Sequence, residues 1–132
     1  MTEMHPIETI INQAKTQQWP YPQTFEALKT AGVYIYRVDL SPFLGSYHGK
    51  LGVWRETNEG LSVSVSPHFD SDKVVVALRR TQNKETNYAQ FLNEIAAAGI
   101  TYYVVSMVDR TVSYHGEKQG QVYKEEVPVW GQ

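Results

Sequence analysis

Apolar residues recur at helical spacing at Ile7, Ile10, Ile11 and Ala14, directly behind Pro6. A proline is tolerated in the first turn of a helix, where its missing N–H has no partner anyway. The pattern therefore predicts a helix over 6–17, ended by Trp19-Pro20. A second helix starts near Pro22, buries Phe25, Leu28 and Ala31, and stops at Gly32. Glycine accepts the left-handed backbone that closes many helices. From Val33 to Leu40 the composition turns β-branched and aromatic, which suits a strand. Side chains alternate along a strand, so Tyr36, Val38 and Leu40 point one way and Ile35, Arg37 and Asp39 the other. Ser41-Pro42 breaks the run, and Gly45 to Lys50 returns as a partner strand. Asn58-Glu59-Gly60 reads as a turn, and the alternation from Leu61 to Ser66 predicts a third strand before Pro67.

The same pattern then runs again. Asp70-Ser71 caps a third helix that carries Val74, Val75 and Leu78 to about Gln82. Asn87, with Gln90 three residues on, forms a capping box for a fourth helix. Its stripe is Tyr88, Phe91, Leu92, Ile95 and Ala98, and Gly99 ends it. Ile100 to Met107 predicts a strand, Asp109-Arg110 a turn, Val112 to Gly116 the returning strand, and Gln121 to Val127 a last strand. A constant offset of 67 aligns Tyr21, Gln23, Ala31, Gly32, Tyr36 and Val38 with Tyr88, Gln90, Ala98, Gly99, Tyr103 and Val105. Ser46-Tyr47-His48-Gly49 likewise recurs as Ser113-Tyr114-His115-Gly116. Self-similarity at a fixed period is a statement about architecture. The expected fold is α+β: a duplicated helix-helix-strand-strand-strand unit with pseudo-twofold symmetry, and an antiparallel sheet with helices packed on it. The first copy spans about 6–66 and the second about 71–128, within one domain of residues 1–132. One six-stranded sheet and two three-stranded ones both fit.

Register puts candidate chemistry on one sheet face. A two-residue loop at Asp109-Arg110 sets Val104 opposite His115 and Ser106 opposite Ser113. The offset between copies then sets Arg37 opposite His48 and Asp39 opposite Ser46. Arg37, Asp39, Ser46 and His48 so fall within reach of cross-strand neighbours. In one reading Asp39 orients His48, with Ser46 as nucleophile or ligand contact; in the other this is an ordinary polar sheet face. Ser46 lacks the glycine frame of a nucleophile elbow. His48 and His115 lack a carboxylate at ligand spacing, so no metal is expected. Tyr36, Tyr47, Tyr103 and Tyr114 fall on the core face, which leaves Tyr34 and Tyr102 as exposed aromatics. The candidate binding residues are Arg37, Asp39, Ser46, His48, Tyr102 and His115.

Composition narrows the class. A net charge of −2 over 132 residues gives no electrostatic reason to bind nucleic acid. The absence of cysteine excludes disulfides and thiolate metal sites. No apolar run approaches a membrane span, and Met1 to Pro6 lacks the pattern of a secretory signal, so a cytoplasmic protein is expected. No cofactor is implied.

The run Leu78, Thr86-Asn87-Tyr88, Phe91, Ala98-Gly99-Ile100, Val105, Tyr114 and Glu125-Glu126-Val127-Pro128 resembles the YdfO-like superfamily. So do Ala31-Gly32-Val33, Tyr36 and Tyr47-His48-Gly49 in the first copy. Members are small bacterial and prophage-borne proteins of unknown function, often labelled phage envelope protein. The resemblance covers nearly the whole chain; it implies a fold and gives no catalytic residues to carry over. Where that family often has an aromatic residue within Tyr-x-Gly, this chain has His48 and His115. The expected function is a non-catalytic small-ligand or protein-interaction domain, self-associating as a homodimer through a strand edge or Trp130. The alternatives are a small hydrolase or transferase around His48 and a phage structural component.

Overall fold

The computed structural model describes residues 5–58, 61 and 63–130. The elements are α1 (Pro6–Gln17), α2 (Tyr21–Thr30), β1 (Val33–Leu40), β2 (Phe43–Gly49), β3 (Gly52–Thr57), α3 (Ser71–Gln82), α4 (Tyr88–Ala97), β4 (Ile100–Ser106), β5 (Thr111–Gly116) and β6 (Val122–Glu126). The order α-α-β-β-β occurs twice. Helix starts follow the local chemistry. His5 accepts from the Ile7 amide through Nδ1, Asp70 accepts from Asp72 and Lys73, and Asn87 with Gln90 closes a full capping box. Helices α2 and α4 end at Gly32 and Gly99, both at positive φ (97° and 89°), where a side chain would be strained. No helix among the described residues is long and apolar enough to cross a membrane.

The strands form one antiparallel six-stranded sheet in the order β3-β2-β1-β4-β5-β6. Strands β1 and β4 join the copies through the pairs Tyr36↔Val105, Arg37↔Val104 and Val38↔Tyr103. Arg37 and Val104 are the same position in the two copies, so a pseudo-twofold axis crosses the sheet between them. The open choice between one sheet and two is thereby settled as one. Tyr36, Val38, Leu40, Tyr47, Tyr103, Val105, Val112 and Tyr114 are buried beneath the helices with Phe25, Leu28, Val74, Leu92 and Ile95.

Three expectations change. The third strand of the first copy is Gly52–Thr57, which returns from β2 through Lys50-Leu51, rather than the stretch from Leu61 to Ser66. Val63 is buried there, Leu61 and Val65 pack on the core, and the Ser66 amide donates to the Ala96 carbonyl at 2.9 Å. The alternation thus reflects a segment laid over the core near the end of α4. Glu59, Gly60 and Ser62, on which the turn and part of that strand were placed, lie outside the described residues. The β4–β5 connection holds four residues, Met107 to Arg110, because Ser106 pairs with Thr111. Met107 is buried and its amide donates to the Tyr34 carbonyl, which keeps it out of the hairpin ladder. His115 therefore faces Tyr102, and by the same offset Arg37 faces Ser46 while Ile35 faces His48. The slip is two residues in each copy, so every side chain keeps its expected face.

Candidate functional site

All the helices pack on one face of the sheet, and the other face carries Ile35, Arg37, Asp39, Ser46, His48, Tyr102, Ser113 and His115. Tyr102 lies opposite Asp39 on one side and His115 on the other. Its ring stacks on the His115 imidazole at 4.6 Å between centroids, with 5° between planes. The Arg37 Cζ lies 3.8 Å from the same ring centroid, a cation–π distance. Asp39 holds that guanidinium: Arg37 Nη2 donates at 2.8 Å and Nε at 3.1 Å to Asp39 Oδ1. His115 Nε2 and Ser113 Oγ are 3.0 Å apart. Burial, then the charges of Arg37 and Lys124, lower the His115 pKa below its ordinary value. The imidazole is therefore neutral at pH 7.

Four of the six sequence candidates meet here: Arg37, Asp39, Tyr102 and His115. Ser46 lies opposite Arg37 and His48 opposite Ile35, and neither side chain makes a hydrogen bond among the described residues. Asp39 pairs with Leu44, so His48 lies four positions along, roughly 13 Å at the usual strand rise. Asp39 is thus taken by Arg37 and does not reach His48. Tyr34 is exposed as expected, whereas Tyr102 is half-buried under its neighbours. The cluster has no copy in the first unit. Ile35 stands where Tyr102 stands, Val104 where Arg37 stands, and Ser106 where Asp39 stands.

Beside the stack opens a cleft of about 500 Å³, lined by Thr101, Tyr102, His115, Lys118, Gln121 and Val122 among others. That volume lies within the range of small-molecule sites. No group of three or more His, Asp or Glu among the described residues is placed to hold a metal ion.

The helix-covered face holds a second constellation, which the sequence reading assigned to packing alone. Trp54, Tyr47 and Tyr36 contact in series across β3, β2 and β1, with ring centroids at 5.6 and 4.7 Å. Tyr103, Tyr114 and Tyr123 do the same across β4, β5 and β6, at 5.5 and 6.4 Å. Tyr21, from the start of α2, hydrogen-bonds Tyr36, and Tyr88, from the start of α4, bonds Tyr103 at 2.7 Å. Burial is the main cause that pushes the hydroxyls of Tyr21, Tyr36, Tyr47, Tyr88, Tyr103 and Tyr114 far above the ordinary tyrosine pKa, and it raises that of the partly buried Tyr123 less. The signal for this network was the recurrence of tyrosine at 21/88, 36/103 and 47/114, read as repetition and not as a joined surface.

A family model described as "Protein of unknown function (DUF1398)" matches residues 52–126, more than half of the chain. The chain belongs to that family. The DUF1398 match runs from β3 through β6, so it includes Tyr102, Ser113 and His115 and excludes Arg37 and Asp39. The chain is also similar to curated proteins named "Uncharacterized protein Mb2035" of Mycobacterium bovis and "Uncharacterized protein Rv2012" of Mycobacterium tuberculosis strain H37Rv. Each is 31% identical over 98 residues, covering 73% of this chain. This chain spans 60% of the length of those relatives.

Proposed function

We propose that this chain is a non-catalytic binding domain of bacterial or prophage origin, taking a small planar carboxylate at the cleft beside Tyr102 and His115. The observation that carries the reading is the Arg37–Tyr102–His115 stack on a sheet face that no helix covers among the described residues. Flat aromatic and imidazole faces suit a planar ligand. Lys118 in the cleft lining and Lys124 near His115 form no ion pair among the described residues and supply positive charge, against Glu117 on the same lining, while Gln121, whose Oε1 accepts from the Lys118 amide, keeps its Nε2 hydrogens for a ligand. The mycobacterial relatives support a bacterial setting, and the resemblance to YdfO-like proteins supports a prophage one. Calorimetric titration of the full chain with indole-3-acetate, against its neutral amide, tests the reading. The carboxylate is expected to bind more tightly than the amide, and Tyr102→Ala to abolish the difference. Equal heats for both probes, or an unaffected Tyr102→Ala variant, would overturn it.

A hydrolytic reading has one observation in its favour, the Ser113 to His115 contact at 3.0 Å. Among the described residues the His115 Nδ1 has no acidic partner, which nucleophilic triads use to orient the base. Turnover of p-nitrophenyl acetate above buffer, lost in Ser113→Ala and kept in His48→Ala, would replace binding with hydrolysis. For self-association, the exposed Val129 and Trp130 are better suited than the strand edges. Edge strands β3 and β6 carry Arg55, Glu56, Lys124, Glu125 and Glu126, and such charges oppose edge pairing.

A further inference from the structure

The Tyr102 cleft carries one charge that a simple carboxylate would meet as a repulsion, that of Glu117, directly beside Lys118. Both belong to the β5–β6 turn, Glu117 to Gln121, which is five residues long where the β2–β3 turn is only Lys50-Leu51. The longer turn is bonded within itself. The Gly116 amide donates to the Gln121 carbonyl at 2.8 Å and the Gln121 amide to the Lys118 carbonyl at 3.1 Å. The Lys118 amide donates to Gln121 Oε1 at 3.0 Å. Glu117 and Lys118 thus stand on a fixed backbone, and neither forms an ion pair among the described residues.

Glu117 also lines a second cleft, of about 560 Å³, with Ser41, Ser64, Ser66 and Thr101 among others. Thr101 and Glu117 are common to both linings, so the two clefts adjoin. The second lining is rich in hydroxyls, and Glu117 is its one charged residue. Thr101 Oγ1 donates its proton to the His115 carbonyl at 3.2 Å, which leaves it an acceptor towards a ligand. The Ser41 and Ser64 hydroxyls make no hydrogen bond among the described residues and can accept as well. An ammonium group has three donors and no acceptor, which matches such a lining. Adjacent Cα atoms are about 3.8 Å apart, so Glu117 and Lys118 offer opposite charges side by side, as an α-amino acid carries its own. We propose that the ligand of the cleft is an aromatic α-amino acid, an inference that rests on the carboxylate site described above. Its ring lies against the His115–Tyr102 stack and its carboxylate meets Lys118. Its ammonium group meets Glu117 where the two clefts join, within reach of the Thr101 and Ser64 hydroxyls.

The test compares L-tryptophan with indole-3-propionate, the same skeleton without the ammonium group, by calorimetry and amide NMR on the full chain. Tryptophan is expected to bind about tenfold more tightly, the scale of one charge-assisted contact. It should also shift the Ser64 and Glu117 amides, which the propionate leaves in place. Glu117→Gln, at an exposed position without a partner, should erase the tenfold preference and leave the propionate bound at least as tightly as before. Equal affinity for the two probes, or a preference that survives Glu117→Gln, would overturn the inference while the carboxylate reading stood. Silence from both probes and from indole-3-acetate would remove the two readings together.

Discussion

The two copies of the unit agree on one face of the sheet and part company on the other. Under the helices, tyrosine recurs at 21/88, 36/103 and 47/114, and its hydrogen bonds recur with it. On the uncovered face Ile35, Arg37 and Asp39 have become Tyr102, Val104 and Ser106. Packing explains the agreement: the covered positions in each copy must fit a neighbour on the other side of the axis, so volume and polarity are constrained twice. The uncovered positions carry no such constraint, and there the copies diverged into a cationic side and an aromatic side that meet across β1 and β4. Divergence on the free face is what makes the Arg37–Tyr102–His115 stack a candidate for specific chemistry.

The largest effect expected is in the shared core. Phe25 and Leu92 occupy the same position in the two copies and are both fully buried. Phe25→Ala should lower stability by about 3–5 kcal/mol and Leu92→Ala by about 2–5 kcal/mol, read from urea unfolding midpoints. Loss confined to one of the two would break the equivalence of the copies.

The paired glycines sharpen it. A Cβ on Gly99 would meet the backbone of His68 and Phe69, whereas one on Gly32 would meet the flexible end of Lys50. Both substitutions strain a positive φ, but only the first also displaces main chain. Gly99→Ala should cost roughly 2–3 kcal/mol and Gly32→Ala about 1 kcal/mol. Equal losses would mean that the 66–70 segment yields as easily as a side chain.

Helix starts differ more modestly. Asn87 caps α4 with a full capping box, while Pro20 precedes α2 without a side-chain cap. Asn87→Ala should cost about 1 kcal/mol in the same unfolding assay.

The smallest effect is electrostatic and belongs to the second copy. The folded pKa of His115 lies below 6.5, so the native state binds fewer protons than the unfolded chain in that window. Its contribution to stability is fully present above the unfolded value and is lost as pH falls through the folded value. An NMR titration of the His115 ring should show that depressed midpoint. Arg37→Gln removes a neighbouring positive charge and should raise it; an unchanged midpoint would place Arg37 away from the imidazole in solution.

Most of the fold was legible because its signals are local. Asn87 with Gln90 starts a helix, Gly32 and Gly99 stop one, and the recurrence of Ser-Tyr-His-Gly announces a second copy. What failed were features fixed by distant partners. The alternation at 61–66 carries the same period as a strand, but Ala96 claims the Ser66 amide. The β4–β5 loop looked like Asp109-Arg110 until Met107 was drawn into the core. The candidate site was legible by face and not by neighbour. Side-chain alternation put Arg37, Asp39, Ser46 and His48 together, but the partner that engages Arg37 is Tyr102, across a strand pair joining the two copies. No pattern within either copy specifies that pairing.

The proposed carboxylate site lies on the diverged face and on one copy of it. An amide NMR titration of the full chain with indole-3-acetate tests this most directly. Shifts are expected at Tyr102, His115 and Lys118, with the equivalent positions Ile35 and His48 undisturbed. Equal responses from both copies, or shifts confined to the helix-covered face, would contradict it.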